Sequence, residues 1–511
     1  MEEKKTMVAF DCGNSSFRTI VGIYENGKIK SNVISQLPNE STRIGDYFYW
    51  DMIRIFGEFK KNLKEIVKEY GRIDSIGIST WGVDFGLFDK EGRMLSNPLC
   101  YRNTLGEAQV EKLSSEDKKR MFYETGILCD KINSVYMLTG MRERFSTIYN
   151  ASDKLLMIPD ILNYFLTGVM MNEPSEFSTT QFMNVKTGEV SSYVCDFFNI
   201  DSKKFCSIGK HGQVIGYVRE NILREIGADY QIPVICVPSH DTGAAVAAIP
   251  AKEECFGFIS CGTWSLIGIE LDKPVLTDDV INAGLTNEVG AFGKITLLKN
   301  SNGMFIVNQL KKEYDFESGR DVSWDEITKM AQNCKTDAVL NLNDSRFFNP
   351  VSMSEEIYNY LLETEQIEGE KQWDILFKAF YESLACCYSI TMKDAESVTG
   401  TEFKKVYIVG GGAASEVLLK LSAIHIGKPI VVCYGESTSM GNLGVQLSSF
   451  YKDMNLKDIR SIIANSYEVK EYVEDKSRED ILERYVFLNR GTKSIFNRRK
   501  GRNVWQKKYW K

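Results

Sequence analysis

The chain has 511 residues, more than the ~250–300 at which a single core stops growing, so more than one domain is expected. Its hydrophobic fraction of 43% and charged fraction of 26% are ordinary for a soluble globular protein, and a net charge of −7 argues against generic nucleic-acid binding. No apolar run approaches the ~18 residues that span a bilayer, and residues 1–5 lack the apolar stretch of a signal peptide, so no membrane partner is expected. Twelve dispersed cysteines without a C-x-x-C pair read as reduced thiols of a cytoplasmic protein. Three histidines, none near paired cysteines, argue against zinc.

Residues 7–10 form an apolar strand leading into Asp11-Cys12-Gly13-Asn14-Ser15-Ser16. A second strand, 17–24, reaches Asn26-Gly27, a strong hairpin-turn signal. Helical periodicity follows over 56–70, and a buried strand at 73–79 enters Thr80-Trp81-Gly82-Val83-Asp84-Phe85-Gly86. Residues 107–170 are mostly helical in pattern, with 155–166 a buried helix stopping at Gly168. Residues 172–230 mix polar loops with short helices.

The apolar run 233–237 reads as a strand and the alanine-rich 243–248 as a helix, with Ser239, His240, Asp241 and Thr242 between them. Asp241 or Ser239 is then either a helix N-cap or, for Asp241, a general base at the mouth of a cleft with His240 beside it. Next, 255–259 is a strand, Ser260-Cys261-Gly262-Thr263 a small polar turn, and 264–271 a second strand. This repeats the design of residues 7–24 and predicts two related α/β domains, each opening with a hairpin. The two turns carry glycine and hydroxyls, as suits backbone N–H groups approaching phosphate oxygens, and as also suits two ordinary hairpins.

Helical residues 300–335 and a long helix at 373–398 precede a strand at 406–409. That strand runs into Gly410-Gly411-Gly412-Ala413-Ala414-Ser415 and a helix at 416–427, a general nucleotide-binding pattern. It is neither the G-x-G-x-x-G fingerprint nor a P-loop. Residues after 449 read as helical, with an acidic stretch at 471–480 and a basic one from 490 to 511, to which no function is assigned.

These stretches, in this order, resemble the FGGY family of carbohydrate kinases over about residues 8–446. The most specific pieces are residues 80–87 (TWGVDFGL), Asn97-Pro98 to Tyr101-Arg102, 157–168 (MIPDILNYFLTG) and His240-Asp241-Thr242. To these add 260–266 (SCGTWSL), Thr286-Asn287-Glu288, 297–300 (LLKN) and 408–412 (IVGGG). The resemblance is strongest to members that act on L-rhamnulose, with ATP as co-substrate. It implies an α/β fold of two actin-like (ribonuclease H-like) domains with an interdomain active-site cleft, here 1–245 and 246–455, followed by a helical segment 456–511. It implies Asp241 as catalytic base, and Gly82, His240, Thr242 and Asn300 as sugar contacts. Asn14, Ser15, Ser16, Phe17, Arg18, Thr263, Asn308 and Gly411 match ATP contacts, and Asp11 matches an indirect, water-mediated holder of Mg²⁺.

Three positions depart from the family pattern: Phe17 replaces a glycine, Asn308 a glutamine, and Ser79 an aspartate. A kinase for another ketose or polyol, such as L-fuculose or xylulose, stays open. So do a non-catalytic sugar or nucleotide sensor and an actin-like ATPase. Monomer and homodimer are both compatible with the sequence.

Overall fold

A computed structural model describes residues 4–348, 350–433, 435–474 and 478–490. The basic stretch after Arg490 lies outside the described residues. The chain divides into two compact units. The first comprises Met1–Asn300, Thr391–Ala414 and Pro429–Glu471; the second comprises Ser301–Ile390, Ser415–Lys428 and Tyr472–Lys511. All the candidate site residues except Asn308 fall in the first unit.

The described strands are β1 (Lys5–Cys12), β2 (Ser16–Glu25), β3 (Lys28–Pro38), β4 (Thr42–Ile44), β5 (Tyr47–Tyr49), β6 (Ser75–Thr80), β7 (Phe85–Phe88) and β8 (Lys154–Met157). They continue with β9 (Val214–Tyr217), β10 (Pro233–Ile235), β11 (Gly257–Cys261), β12 (Trp264–Leu271), β13 (Thr286–Val289), β14 (Ile295–Asn302), β15 (Val406–Val409), β16 (Ile430–Cys433) and β17 (Val469–Tyr472). Of the two large sheets, one has the order β3-β2-β1-β6-β10-β9 and the other β13-β14-β12-β11-β15-β16-β17; β4-β5 and β7-β8 form two-stranded sheets. In the first, β1 pairs antiparallel with β2 and parallel with β6. In the second, β11 pairs antiparallel with β12 and parallel with β15. The hairpin repeat expected from the sequence is thus a repeat of sheet topology: a hairpin whose first strand opens the parallel part of its sheet.

Local chemistry explains these elements. Asn26 and Gly27 take φ +53° and +72°, the conformation a tight two-residue hairpin turn needs. The helix Met52–Tyr70 starts at Asp51, whose side chain accepts the Arg54 N–H, and ends at Gly71 with φ +79°. Its buried face, Met52, Ile55, Phe59, Leu63 and Ile66, recurs every three or four residues, and Phe59 stacks on Phe10 of β1 at 3.7 Å.

Residues 155–166 are not one helix. Lys154–Met157 is a strand paired with β7, and the helix is Ile158–Thr167 with Pro159 in its first turn. Proline has no N–H to donate to the carbonyl four residues back, so the helix begins around it, and Gly168 in the left-handed conformation ends it.

Two buried helices of the first unit meet at unusually short range. A Cβ on Gly441, in the helix Ser437–Leu447, would lie 1.8 Å from the carbonyl oxygen of Ala244, in the helix Asp241–Ala247. Only glycine permits that approach, which fixes the helix bearing Asp241.

Candidate active site

The first turn is organised by charge. Asp11, at the end of β1, is almost fully buried, and Oδ2 accepts from Arg18 Nη2 at 2.6 Å and from Ser439 Oγ at 3.3 Å. Arg18 also pairs through Nη1 with Glu436. Burial pushes the Asp11 carboxyl up; Arg18 opposes this, while the charge of Asp241 adds to it, so the two aspartates sense each other. The turn backbone is held by Asn39, whose amide donates to the Gly13 carbonyl at 2.8 Å and whose N–H donates to that of Ser15 at 3.0 Å. Phe17 lies on β2 opposite Cys12, with its ring in the core edge-on to Phe59. The bulk that replaces the family's glycine therefore points away from the turn, which is Gly13 to Ser16. Ser16 is partly buried, and Gln36 Nε2 donates to its hydroxyl at 3.5 Å.

The second turn is neutral. Gly262 N–H donates to the Trp264 carbonyl at 2.8 Å, leaving Thr263 at the tip. The Thr263 hydroxyl lies 3.4 Å from that of Ser15, so the tips of the two hairpins meet. Tyr101 joins them a second way: its hydroxyl accepts from Asn14 Nδ2 at 3.2 Å and is hydrogen-bonded to Trp264.

The glycine cluster is adjacent. A Cβ on Gly412 would fall 2.0 Å from Cys261 Sγ, and one on Gly410, at φ +87°, would fall 2.7 Å from the Cys261 carbonyl oxygen. Nothing lies within 4 Å of a Cβ on Gly411, which is exposed. Two of the three glycines are thus packing requirements. Gly411 is the one with room for a ligand.

Within electrostatic reach of Asp11 stands the His240-Asp241 pair. His240 is the N-cap residue of the helix Asp241–Ala247 and makes no side-chain cap, while Asp241 is its first residue. The Ser239 hydroxyl is turned back to the Val237 carbonyl at 3.1 Å. The N-cap reading of Asp241 and Ser239 is therefore wrong, because the helix starts between them. The Asp241 carboxylate is free for other work. Its side chain is 36% exposed, so one face stays open, and Thr242 Oγ1 donates to Oδ1 at 3.2 Å.

His240 bridges two acids: Nδ1 is 3.2 Å from Glu288 Oε2, and Nε2 is 3.6 Å from Asp241 Oδ1. Burial by itself would push the imidazole down; Glu288, reinforced by Asp241, outweighs it and raises His240 to about 9. At neutral pH His240 is an imidazolium. Burial raises the Asp241 carboxyl, and the neighbouring His240 cation opposes that rise. Gly82 completes the group: a Cβ there would come 3.3 Å from His240 Nε2 and 3.2 Å from Thr179 Cγ2.

Ser79 is fully buried, donating to the Pro238 carbonyl at 3.0 Å and accepting from Asn442 Nδ2 at 2.9 Å. Its departure from the family pattern is absorbed by a local network with Asn442 and Gln446, itself bonded to Val8 and Ser75. Trp81 is likewise structural, packed at a tilt against Trp50 with ring centroids 4.3 Å apart. Asn300 is exposed near the end of β14, beyond the Thr286–Leu298 pair. Asn308 is exposed on the helix Phe305–Ser318 of the second unit. Neither is bonded to the group around Asp241.

Sequence reasoning did not find Glu288, Glu436 or Ser439 as parts of the site. Glu288 had a signal, its place in Thr286-Asn287-Glu288. Glu436 and Ser439 had none, since only tertiary packing brings them to Arg18 of β2 and Asp11 of β1.

The class of protein these two sheets and their turns define is given by its relatives: a sugar phosphotransferase. Residues 6–247 match the N-terminal domain and 257–450 the C-terminal domain of the FGGY family of carbohydrate kinases. The chain belongs to that family and is a carbohydrate kinase with ATP as its co-substrate. It is 32% identical to a rhamnulokinase of Oceanobacillus iheyensis over 466 residues, covering 91% of this chain and 97% of the relative. It is 33% identical to a rhamnulokinase of Bacteroides thetaiotaomicron over 474 residues, covering 92% and 96%. Among solved structures, the ligand-bound xylulose kinase from Lactobacillus acidophilus superposes with a TM-score of 0.76 at 15% identity, covering 95% of this chain and 96% of that one. These likenesses establish the two-domain α/β, actin-like fold. No helix among the described residues is long and apolar enough to cross a membrane.

Proposed function

We propose that the chain transfers the γ-phosphoryl group of ATP to the 1-hydroxyl of L-rhamnulose, in the cytoplasm, with Asp241 as general base. The observation that carries the mechanism is the open Asp241 carboxylate, flanked by the imidazolium of His240 and by Gly82. Full-length likeness to rhamnulokinases supports the choice of sugar.

The Asp241 carboxylate accepts the hydroxyl proton as the new O–P bond forms, so no free alkoxide is required. His240, charged through Glu288, keeps Asp241 ionised before transfer and offers Nε2 to a sugar oxygen. Thr242 steadies the carboxylate, and Asn300 supplies an amide to a further sugar hydroxyl. ATP phosphates lie against Asn14 to Arg18 and Thr263, with Gly411 and Asn308 toward the nucleoside. Among the described residues no three or more acidic, histidine or cysteine groups cluster as metal ligands. Mg²⁺ sheds its water reluctantly, so Asp11 would hold it through water, and when bound it would offset phosphate charge. We place the functional domain division at 245/246, with 456–511 as an appended segment, and propose a chain that works as a monomer or homodimer.

The test is coupled ADP release with MgATP and L-rhamnulose, L-fuculose, L-xylulose, D-xylulose and glycerol, with a no-sugar control. The expected result is a clear kcat/KM preference for L-rhamnulose. Preference for another sugar overturns the substrate, and ADP release indifferent to sugar overturns sugar phosphorylation by this site.

A further inference from the structure

Tyr101 is held on three sides before its hydroxyl is reached. The loop that carries it is clamped to β5: Cys100 N–H donates to the Phe48 carbonyl at 2.9 Å, and the Asn103 amide donates to the carbonyls of Phe48 and Cys100 at 2.9 and 2.7 Å. Tyr101 N–H donates to the Asp84 carboxyl, whose Oδ2 also accepts from the indoles of Trp50 and Trp81 at 2.6 and 2.9 Å. The ring is buried, with the Arg102 guanidinium 5.3 Å from its centroid. The hydroxyl of a tyrosine fixed in this way is a preorganised group.

That hydroxyl joins the two hairpins. Asn14 Nδ2, in the β1–β2 turn, donates to it at 3.2 Å, and Trp264, the first residue of β12, is hydrogen-bonded to the same oxygen. The other link between the tips is of a different kind. Ser15 and Thr263 meet through exposed hydroxyls 3.4 Å apart. A hydroxyl has one proton to give, so a phosphate oxygen arriving at the tips competes directly for that link. The Tyr101 bridge is buried and keeps its partners when the tips turn to a ligand.

We infer that Tyr101 is a positioning residue for ATP: its hydroxyl holds Asn14 and Trp264, and through them keeps the two turns at the spacing their phosphate contacts require. Without that oxygen the Asn14 amide and the Trp264 indole lose a shared acceptor, and each turn is left to its own hairpin. The stretch from Asn97 to Arg102 thereby serves the nucleotide. The inference rests on the two turns being the ATP phosphate contacts.

The experiment measures ATP KM, and KM for the best sugar of the ADP-release panel, in Tyr101→Phe, Trp264→Phe, Asn14→Ala and the double variant of Asn14→Ala with Tyr101→Phe. Thr263→Ala is the control on the phosphate contacts. Tyr101→Phe keeps the ring and should raise ATP KM about tenfold with sugar KM unchanged. Trp264→Phe removes one of the two bonds and should raise ATP KM about fivefold, which reads the bridge even if Tyr101→Phe folds poorly. Because Tyr101 acts through Asn14, the double variant should fall well short of the product of the two single increases. Increases that multiply, or a rise in sugar KM with ATP KM unchanged, overturn the positioning role. If Tyr101→Phe and Trp264→Phe keep the wild-type ATP KM while Asn14→Ala and Thr263→Ala raise it, the role is overturned and the phosphate contacts stand. If Asn14→Ala and Thr263→Ala leave ATP KM at the wild-type value, the phosphate contacts themselves fail and the inference falls with them.

Discussion

The two hairpin turns occupy the same place in their sheets and solve the same problem by different means. In β1–β2 the last pairs are Asp11–Arg18 and Cys12–Phe17; in β11–β12 they are Ser260–Leu266 and Cys261–Ser265. The charged pair of the first hairpin thus corresponds to an uncharged pair in the second. Around the first lie Arg18, Glu436 and, within electrostatic reach, Asp241. Around the second lie the close-packed Gly410 and Gly412, with Thr263 at the tip. The same backbone pattern is built differently in its two copies: one is held through charge, the other through close packing.

Of the changes at the two turns, removing the charge should be the most damaging. Asp11→Asn keeps the side-chain volume and should lower kcat by ~10²–10³. The check is steady-state kinetics across a MgATP series; equal loss in both hairpins' variants would erase the distinction.

Crowding the neutral turn should act on stability before chemistry. Gly412→Ala forces a methyl onto Cys261 Sγ and should cost ~1–3 kcal/mol in denaturant unfolding. Gly411→Ala, with open space around it, should leave unfolding unchanged and weaken only ATP binding.

The charged side also predicts a pH signature. His240 is raised from 6.5 to about 9, so its contribution to stability is fully present below 6.5 and is lost as pH rises through about 9. The alkaline limb of kcat/KM should fall in the same window. Glu288→Gln removes the main charge that raises His240, so this limb should move to lower pH, with kcat/KM reduced about tenfold at neutral pH. A pH profile identical to wild type would sever Glu288 from His240.

The smallest effect is expected at the tip of the neutral turn. Thr263→Ala deletes one hydroxyl contact worth about 1 kcal/mol, a rise of roughly fivefold in ATP KM with kcat little altered.

Much of this division was legible in the sequence, since strand–turn–strand patterns and glycine spacing are local. Asp11, Gly82, Asp241, Thr263 and Gly411 all stand at turns marked by their neighbours. What escaped was non-local. Glu436 and Ser439 come to the first hairpin, at Arg18 and Asp11, from more than 400 positions away, and no local pattern links them to it. The strand at 154–157 was read as helix because a short apolar run has no distinctive period, and only its pairing with β7 decides it. The capping role of Asp241 was misread by one residue, within the ordinary blur of helix starts.

The most direct measurement is single-turnover phosphorylation by Asp241→Asn, paired with calorimetric binding of sugar and MgATP. Asparagine keeps the size and the hydrogen bond from Thr242 but cannot take the proton. The expected result is near-wild-type affinity for both substrates with the transfer rate down on the order of 10³-fold or more. Transfer at close to the wild-type rate would contradict Asp241 as the base.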